Sequence, residues 1–63
     1  MRKDIELSTS QLARVLNTYE GKVRQMDRLG ILTPRRDIFG RRIFDADDVR
    51  RGREYLEARR RLR

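Results

Sequence analysis

Helix starts and helix stops alternate along residues 8–45 in an order that constrains the fold more than any compositional property. The first start is a capping box. Ser8 and Gln11 stand three residues apart, so each side chain can bond the backbone amide of the other. The apolar positions that follow share one helical face and predict a first helix that ends at about Leu16.

A second helix is predicted after a two-residue turn. Asn17 tolerates the left-handed backbone conformation that ends many helices, and we expect the Thr18 hydroxyl group to cap the next helix. That helix should run to about Leu29, because Gly30 suits the position just after a helix C-terminus. The spacing predicts an inward face of Tyr19, Val23, Met26 and Leu29, and a polar, mostly cationic face of Gly21, Arg24, Gln25 and Arg28.

An arginine-rich hairpin is predicted next. Two basic segments, residues 35–36 and 41–44, flank residues 37–40. In this connection Gly40 can supply the positive φ that a tight turn requires. Alternation along the second segment places one of its two apolar residues in the core, and we assign Phe44 to that position.

A third helix is predicted from Asp45 onward. Asp45 can cap it, and the acidic residues that follow suit the dipole of a helix N-terminus. Its inner stripe is thin and consists of Val49, Gly52 or Arg53, and Leu56. A strongly basic segment follows.

Together these elements predict one fold class, mainly α-helical with a small β-hairpin. We expect a single winged helix-turn-helix domain over residues 1–63, with three helices and a two-stranded wing. A chain of this length buries only about 60% of its unfolded surface, which allows one small core. Residues 1–6 and 59–63 are expected to be disordered.

Composition argues against several function classes. The chain contains no cysteine and no histidine, and so lacks disulfides, thiolate metal ligands and the commonest general base. With no nucleophile–base pair and no phosphate loop, we predict that the protein is not an enzyme and uses no metal or cofactor. The acidic residues Asp45, Asp47 and Asp48 could hold a cation, but helix capping explains them better. No apolar run approaches the roughly 18 residues of a transmembrane helix, no signal peptide is visible, and a cytoplasmic location is expected.

The charge balance favours a nucleic-acid partner. Seventeen basic residues face ten acidic ones, which gives a formal net charge of +7, and fifteen of the basic residues are arginine. A GC-rich genome would also favour arginine over lysine. It would not produce the net excess of positive charge, which is the usual electrostatic footprint of a nucleic-acid binder.

The ordered motifs resemble the MerR-type winged helix-turn-helix superfamily, which also contains phage and plasmid excisionases. The matching residues are Leu12-Ala13, Val23-Arg24, Leu29-Gly30-Ile31-Leu32, Pro34, Arg36, Gly40, Arg42 and Phe44-Asp45. Their order and spacing hold from Leu7 to about Val49. The resemblance implies a bacterial or phage-encoded, nucleoid-associated protein of which several copies bind adjacent DNA sites cooperatively.

The chain departs from the family pattern at several positions. Asn17 stands where the turn usually has glycine, Gln25-Met26 replaces an aromatic pair, and Arg41 replaces the tyrosine of the wing. The effector-sensing part and the long coiled coil of full regulators do not follow the third helix, so no small-molecule effector site is expected. The chain is either a small stand-alone member of the family or an isolated domain of a longer protein.

The second helix is predicted to lie in the major groove, with its N-terminal half nearest the base edges. The predicted reading set is Tyr19, Lys22, Arg24 and Gln25. Arg24 suits guanine and Gln25 suits adenine, Gly21 permits close backbone approach, and Arg28 is predicted to bind phosphate. The alternative is that these side chains form a solvated helix face, and Tyr19 could instead belong to the core.

Four arginines lie on or near the hairpin: Arg35, Arg36, Arg41 and Arg42. They repel one another in the free protein, and phosphates or a narrow minor groove would neutralise them. The resemblance supports Arg36 and Arg42 most strongly. Ile38 or Phe39 could form an apolar tip in the minor groove or a contact with a neighbouring protomer, and Phe39 could equally pack beneath the wing.

The leading prediction is sequence-selective binding of double-stranded DNA by self-associating copies of the chain. The protein would be an excisionase-like recombination directionality factor or a compact MerR-like transcription regulator, with a recombinase or RNA polymerase as a further partner. The alternative is a protein-interaction module whose basic surface binds an acidic partner. RNA binding is disfavoured because several exposed aromatic residues are needed to stack bases, and membrane binding because the apolar helix faces are too thin.

Overall fold

The structure, a computed structural model, describes residues 5–61. This part of the chain forms three helices and one hairpin in the order α1 (Thr9–Val15), α2 (Glu20–Arg28), β1 (Arg35–Arg36), β2 (Arg42–Ile43) and α3 (Ala46–Arg61). The two strands are antiparallel, with Arg35 opposite Ile43 and Arg36 opposite Arg42. The predicted mainly helical fold with a small β-hairpin is therefore confirmed.

The start of α1 is the predicted capping box. The Ser8 hydroxyl group accepts a hydrogen bond from the Gln11 amide at 3.2 Å, and the Gln11 side-chain oxygen accepts one from the Ser8 amide at 2.9 Å. Two backbone donors that a helix start leaves without a helical partner are thus satisfied by short-range sequence alone.

The first two helices end in the same way, with a residue in the left-handed conformation. Asn17 follows α1 at φ 59°, and Gly30 follows α2 at φ 84°, as the sequence predicts. In each case the next amide reaches back to close a Schellman motif. The closing bonds run from the Thr18 amide to the Ala13 carbonyl at 2.8 Å and from the Ile31 amide to the Met26 carbonyl at 3.0 Å.

The two ends of α2 differ from the prediction. Because the Thr18 amide closes α1, the chain enters α2 one residue later than expected. Tyr19 is the N-cap in an extended conformation and makes no side-chain cap bond, so the prediction that Thr18 caps α2 is wrong. Tyr19 and Leu29 both lie outside the helical repeat and are exposed, so neither faces inward. Beyond the turn at Gly30, Leu32 enters the core instead.

The core lies where the three helices and the end of the hairpin meet. Its buried apolar residues are Leu12, Ala13, Leu16, Val23, Met26, Leu32 and Phe44. Gly52 of α3 is also buried, and a Cβ atom there would lie 2.7 Å from Leu16 Cδ1. The missing side chain therefore lets α3 approach α1, which accounts for a glycine inside a helix that it weakens by about 0.5–1 kcal/mol. Arg53 is exposed, so Gly52 completes the inner stripe.

The start of α3 is a second reciprocal cap, formed by two aspartates. The Asp45 carboxylate accepts from the Asp48 amide at 3.2 Å, and the Asp48 carboxylate accepts from the Asp45 amide at 3.1 Å. Asp48, only 1% exposed, also accepts from the Thr33 amide at 2.9 Å. The predicted cap at Asp45 is confirmed. Among residues 5–61 no three potential metal ligands lie close enough together to hold an ion.

Both chain ends, as far as the structure describes them, continue or contact the regular elements. Residues 59–61 continue α3, while residues 1–4 and 62–63, which the sequence also predicts to be disordered, lie outside the described residues. Near the other end, Leu7 and Phe44 exchange two backbone hydrogen bonds of 2.8 Å and form an antiparallel bridge. No helix among residues 5–61 is long and apolar enough to cross a membrane.

Candidate nucleic-acid interface

The outer face of α2 carries the predicted reading residues. Val23 and Met26 are buried, whereas Arg24, Gln25 and Arg28 are exposed on the other side of the helix. Because the helical repeat separates these two sets, burial of the first forces the second into solvent. The predicted polar face of α2 is therefore present, and its side chains are free to meet a partner.

Local contacts on this face are weak. Arg24 lies 3.6 Å from the Glu20 carboxylate, and both side chains are about half exposed. Such a pair contributes at most about 1 kcal/mol, so Arg24 can exchange it for another ligand at little cost. The Lys22 ammonium group donates to the Gln25 side-chain oxygen at 3.2 Å.

Tyr19 and Gly21 form one local unit. A Cβ atom at Gly21 would lie only 3.2 Å from the Tyr19 ring. The ring therefore occupies the space beside Gly21, where the sequence predicts close backbone approach. Tyr19 itself is exposed, which removes the alternative that it belongs to the core.

The four hairpin arginines differ in what they contact. The contacts are Arg35 with Glu6 at 3.7 Å, Arg36 with the Gly40 carbonyl at 2.7 Å, Arg41 with Asp37 at 2.9 Å, and Arg42 with Asp27 at 2.6 Å. Within residues 5–61, Arg36 contacts no carboxylate. A carbonyl oxygen orients its guanidinium group without neutralising the charge, so Arg36 is the hairpin arginine best suited to bind a phosphate.

The Arg42–Asp27 pair holds the hairpin against α2. Arg42 Nε donates to Asp27 Oδ2 at 2.6 Å, and the two side chains are only 26% and 19% exposed. This short charge-assisted bond joins β2 to the last turn of α2 across fifteen positions of sequence. Arg42, which the resemblance singled out for DNA contact, thus also has an anchoring role within the fold.

Asp37 organises the turn of the hairpin. Its Oδ1 atom accepts hydrogen bonds from the Phe39 and Arg41 amides, both at 2.9 Å. The Gly40 amide donates to the Asp37 carbonyl at 2.9 Å, and Gly40 has φ 81°, as predicted. The bond from the Arg41 amide, helped by that from Phe39 and by the Arg41 guanidinium, holds the pKa of Asp37 below its usual 3.8, although desolvation opposes the shift.

The tip of the turn is apolar and exposed. Ile38 is 90% exposed and Phe39 is 76% exposed. The Arg41 guanidinium carbon lies 5.0 Å from the centre of the Phe39 ring, within cation–π range. Phe39 therefore does not pack beneath the hairpin, which excludes one of the three arrangements that the sequence left open.

One continuous surface joins the hairpin to both short helices. An open depression is lined by Ser8, Thr9, Ser10, Glu20, Arg36, Gly40, Arg41 and Arg42. A second one is lined by Ser10, Ala13, Arg14, Asn17, Thr18, Tyr19 and Glu20. They share Ser10 and Glu20. The N-termini of α1 and α2 and the arginines of the hairpin therefore border the same side of the molecule.

Several residues at or near this surface were not predicted from the sequence. Asp37 had a signal, because aspartate at the first position and glycine at the fourth are typical of a β-turn. Asp27 had none, since its partner is remote in sequence. Glu20 and Ser10 also border the surface, and Glu20 makes the N-terminus of α2 less attractive to phosphate than the arginines alone suggest.

Comparison of the chain with protein-family models, with curated proteins and with solved structures finds no match.

Proposed function

We propose that the chain binds double-stranded DNA selectively, as a small winged helix-turn-helix protein of the MerR-like type. In this proposal α2 enters the major groove, and the arginine hairpin, residues 35–43, acts as the wing on the backbone or minor groove. The net charge of +7 supports a polyanionic partner.

The observation that carries the proposal is the shared surface of α2 and the arginine hairpin. The Arg42–Asp27 bond of 2.6 Å holds the hairpin beside α2, and one depression is bordered by three hairpin arginines and by Glu20, the first residue of α2. A duplex offers a groove and a flanking backbone at a fixed separation, so a protein that reads it needs a base-reading element and a phosphate-binding element in fixed relation.

Within this arrangement the residues have different tasks. Arg24 and Gln25, exposed on α2, have the hydrogen-bonding groups that suit guanine and adenine edges. Arg36 and Arg28 would bind phosphates, since neither contacts a carboxylate among the described residues. Glu20 would turn away from the duplex once Arg24 leaves it for a base.

Useful affinity requires more than one copy. A single module of this type buries about 600–1,000 Å² on DNA. We therefore propose cooperative binding of several copies to adjacent sites, as an excisionase-like directionality factor that assists a recombinase or as a compact regulator that acts on RNA polymerase.

The test is selection of binding sites from a random duplex library, followed by titration of the best site at two salt concentrations and in one, two and three copies. We expect a defined motif, with affinity that rises more than additively with copy number. Absence of an enriched motif, with binding that disappears at physiological salt, would reject the proposal and favour an acidic protein as partner.

Two variants separate base reading from phosphate binding. Arg24→Ala should cost about 1–3 kcal/mol on the best site and relax the preference at one position. Arg36→Ala should weaken all duplexes alike and lower the salt slope by about one. Arg53→Ala is the matched control, because it removes an exposed arginine of α3 and leaves both surfaces intact. Identical behaviour of Arg24→Ala and Arg36→Ala on selected and random DNA would show that α2 does not read bases.

A further inference from the structure

We infer that the hairpin tip, Ile38 and Phe39, is an apolar wedge that enters the DNA minor groove and unstacks a base step. The inference rests on the proposed function and deepens it. It adds deformation of the duplex to the contacts that α2 and the arginines would make.

The first argument is that phosphate binding does not explain an apolar tip. Ile38 and Phe39 are 90% and 76% exposed, so neither side chain contributes to the core. A tip of serine or asparagine would form the same turn and carry the same arginines. The two large apolar side chains are therefore available for a contact outside the molecule, and the inside of a base stack is an apolar surface that a narrow tip can reach.

The second argument is that the tip is held in shape before any partner arrives. Asp37 fixes the turn through the Phe39 and Arg41 amides, at 2.9 Å each. Arg36 bonds the Gly40 carbonyl at 2.7 Å from the other strand, and the Arg41 guanidinium lies over the Phe39 ring at 5.0 Å. A preorganised tip loses little conformational freedom on insertion, which a wedge needs in order to act on a stacked duplex.

The third argument is charge, which separates DNA from a second copy of the chain. The tip is rimmed by Arg36 and Arg41, and the whole chain carries +7. Docking of the tip onto another copy would bring two strongly basic surfaces together. In a minor groove, the same arginines would face the phosphates on either side of the opened step.

The experiment uses the full chain and the best site from the duplex selection. The fluorescent base 2-aminopurine, which brightens when it is unstacked, is placed at each step contacted by the hairpin. Wild-type protein should raise the fluorescence at one step when all DNA is bound. The double variant Ile38→Ser/Phe39→Ser should bind the site without that rise. Val15→Ser is the matched control, because it also removes an exposed apolar side chain, from α1.

A second measurement keeps the test independent of the dye. A mismatch at the same step removes part of the unstacking cost, which is a few kcal/mol for a paired step. Wild-type protein should therefore bind the mismatched duplex about tenfold more tightly than the paired one, and the double variant should bind both equally. Circular dichroism of the variant should match wild type, since both replaced side chains are exposed.

The outcomes separate the two proposals. Selective binding by wild type with unchanged 2-aminopurine fluorescence and no mismatch preference overturns the wedge and leaves the proposed function in place. Failure of wild type to select any duplex overturns both. Self-association in sedimentation without DNA, lost in the double variant, would assign the tip to a second copy and also overturn the wedge.

Discussion

The helical body and the arginine hairpin of this protein are stabilised by different forces. In the body, α1, α2 and α3 surround a cluster of fully or nearly buried apolar side chains. The hairpin has strands of two residues each, with β1 exposed, and depends on the carboxylates of Asp37 and Asp27. The free energy of apolar burial does not depend on a protonation state and is not screened by salt. The strength of a charged hydrogen bond depends on both pH and salt concentration. The hairpin, which carries one part of the proposed DNA-binding surface, is therefore the region whose order should respond most to pH and salt.

Substitution of the two phenylalanines should give the largest difference in stability between the two regions. Phe44 is fully buried and Phe39 is exposed. Phe44→Ala should lower the free energy of unfolding by about 3–5 kcal/mol, which is close to all the stability that a core of this size supplies. Phe39→Ala should change it by less than about 0.5 kcal/mol. Urea unfolding followed by circular dichroism measures both, and a comparable loss in the two variants would contradict the assignment of the core.

The Arg42–Asp27 bond is the link between the two regions, and breaking it should have the next largest effect. Asp27→Asn leaves the Arg42 charge partly buried without its carboxylate and should cost about 1–3 kcal/mol. Hydrogen exchange should accelerate in the hairpin amides more than in those of α1. Glu54→Gln is the control, because Glu54 is 67% exposed and its ion pair with Arg50 is long, at 3.8 Å. Equal effects of the two changes would show that the Asp27 bond does not hold the hairpin.

Substitution of two glycines, one in each region, compares the stability of the body and the hairpin, because both glycines have nearly the same positive φ. Gly30 ends α2 at φ 84° and Gly40 ends the hairpin turn at φ 81°, and a Cβ atom at either would meet nothing within 4 Å. Substitution by alanine should therefore cost only the left-handed strain, about 1–2 kcal/mol in each case. For Gly30→Ala the loss should appear in global unfolding. For Gly40→Ala it should appear mainly as faster hydrogen exchange of the hairpin, and a full global loss there would mean that the hairpin and body unfold together.

The smallest expected effect is the change in hairpin stability with pH. The pKa of Asp37 lies below its usual 3.8, so the ionised form is favoured by folding. Its contribution is complete well above pH 3.8 and is lost as the pH falls below 3.8 through the lowered pKa. NMR titration should show the carboxyl group and the Phe39 and Arg41 amides changing together below pH 3.8. Asp37→Asn should abolish that transition, and a midpoint at or above 3.8 would contradict the hydrogen bonds assigned to the carboxylate.

Local signals carried most of what could be predicted from the sequence. The capping box at Ser8, the left-handed residues Asn17 and Gly30, the turn at Gly40 and the cap at Asp45 each depend on a few neighbouring residues. These caps and turns can therefore be predicted without knowledge of the fold.

Errors arose where a local rule was extended past the end of an element or where partners are remote. The helical repeat predicts inward positions for Tyr19 and Leu29, although both residues lie in caps. The partners of Asp27 and Leu7 are far away in sequence and leave no periodic pattern. The exposure of Phe39 could not be decided because it depends on how the hairpin meets the body.

The Leu7–Phe44 bridge also has a kinetic consequence. It joins residues 37 positions apart (44 − 7), and the cost of closing such a loop is met only when the intervening helices have already shortened it. The contacts of α1 with α2 are local and should form first, on the microsecond to millisecond scale typical of helical proteins. Phe44, which directly follows β2, must then dock before the bridge can close. We therefore expect the arginine-bearing hairpin to dock late in folding, so that a partly folded chain would lack the complete arginine-bearing surface.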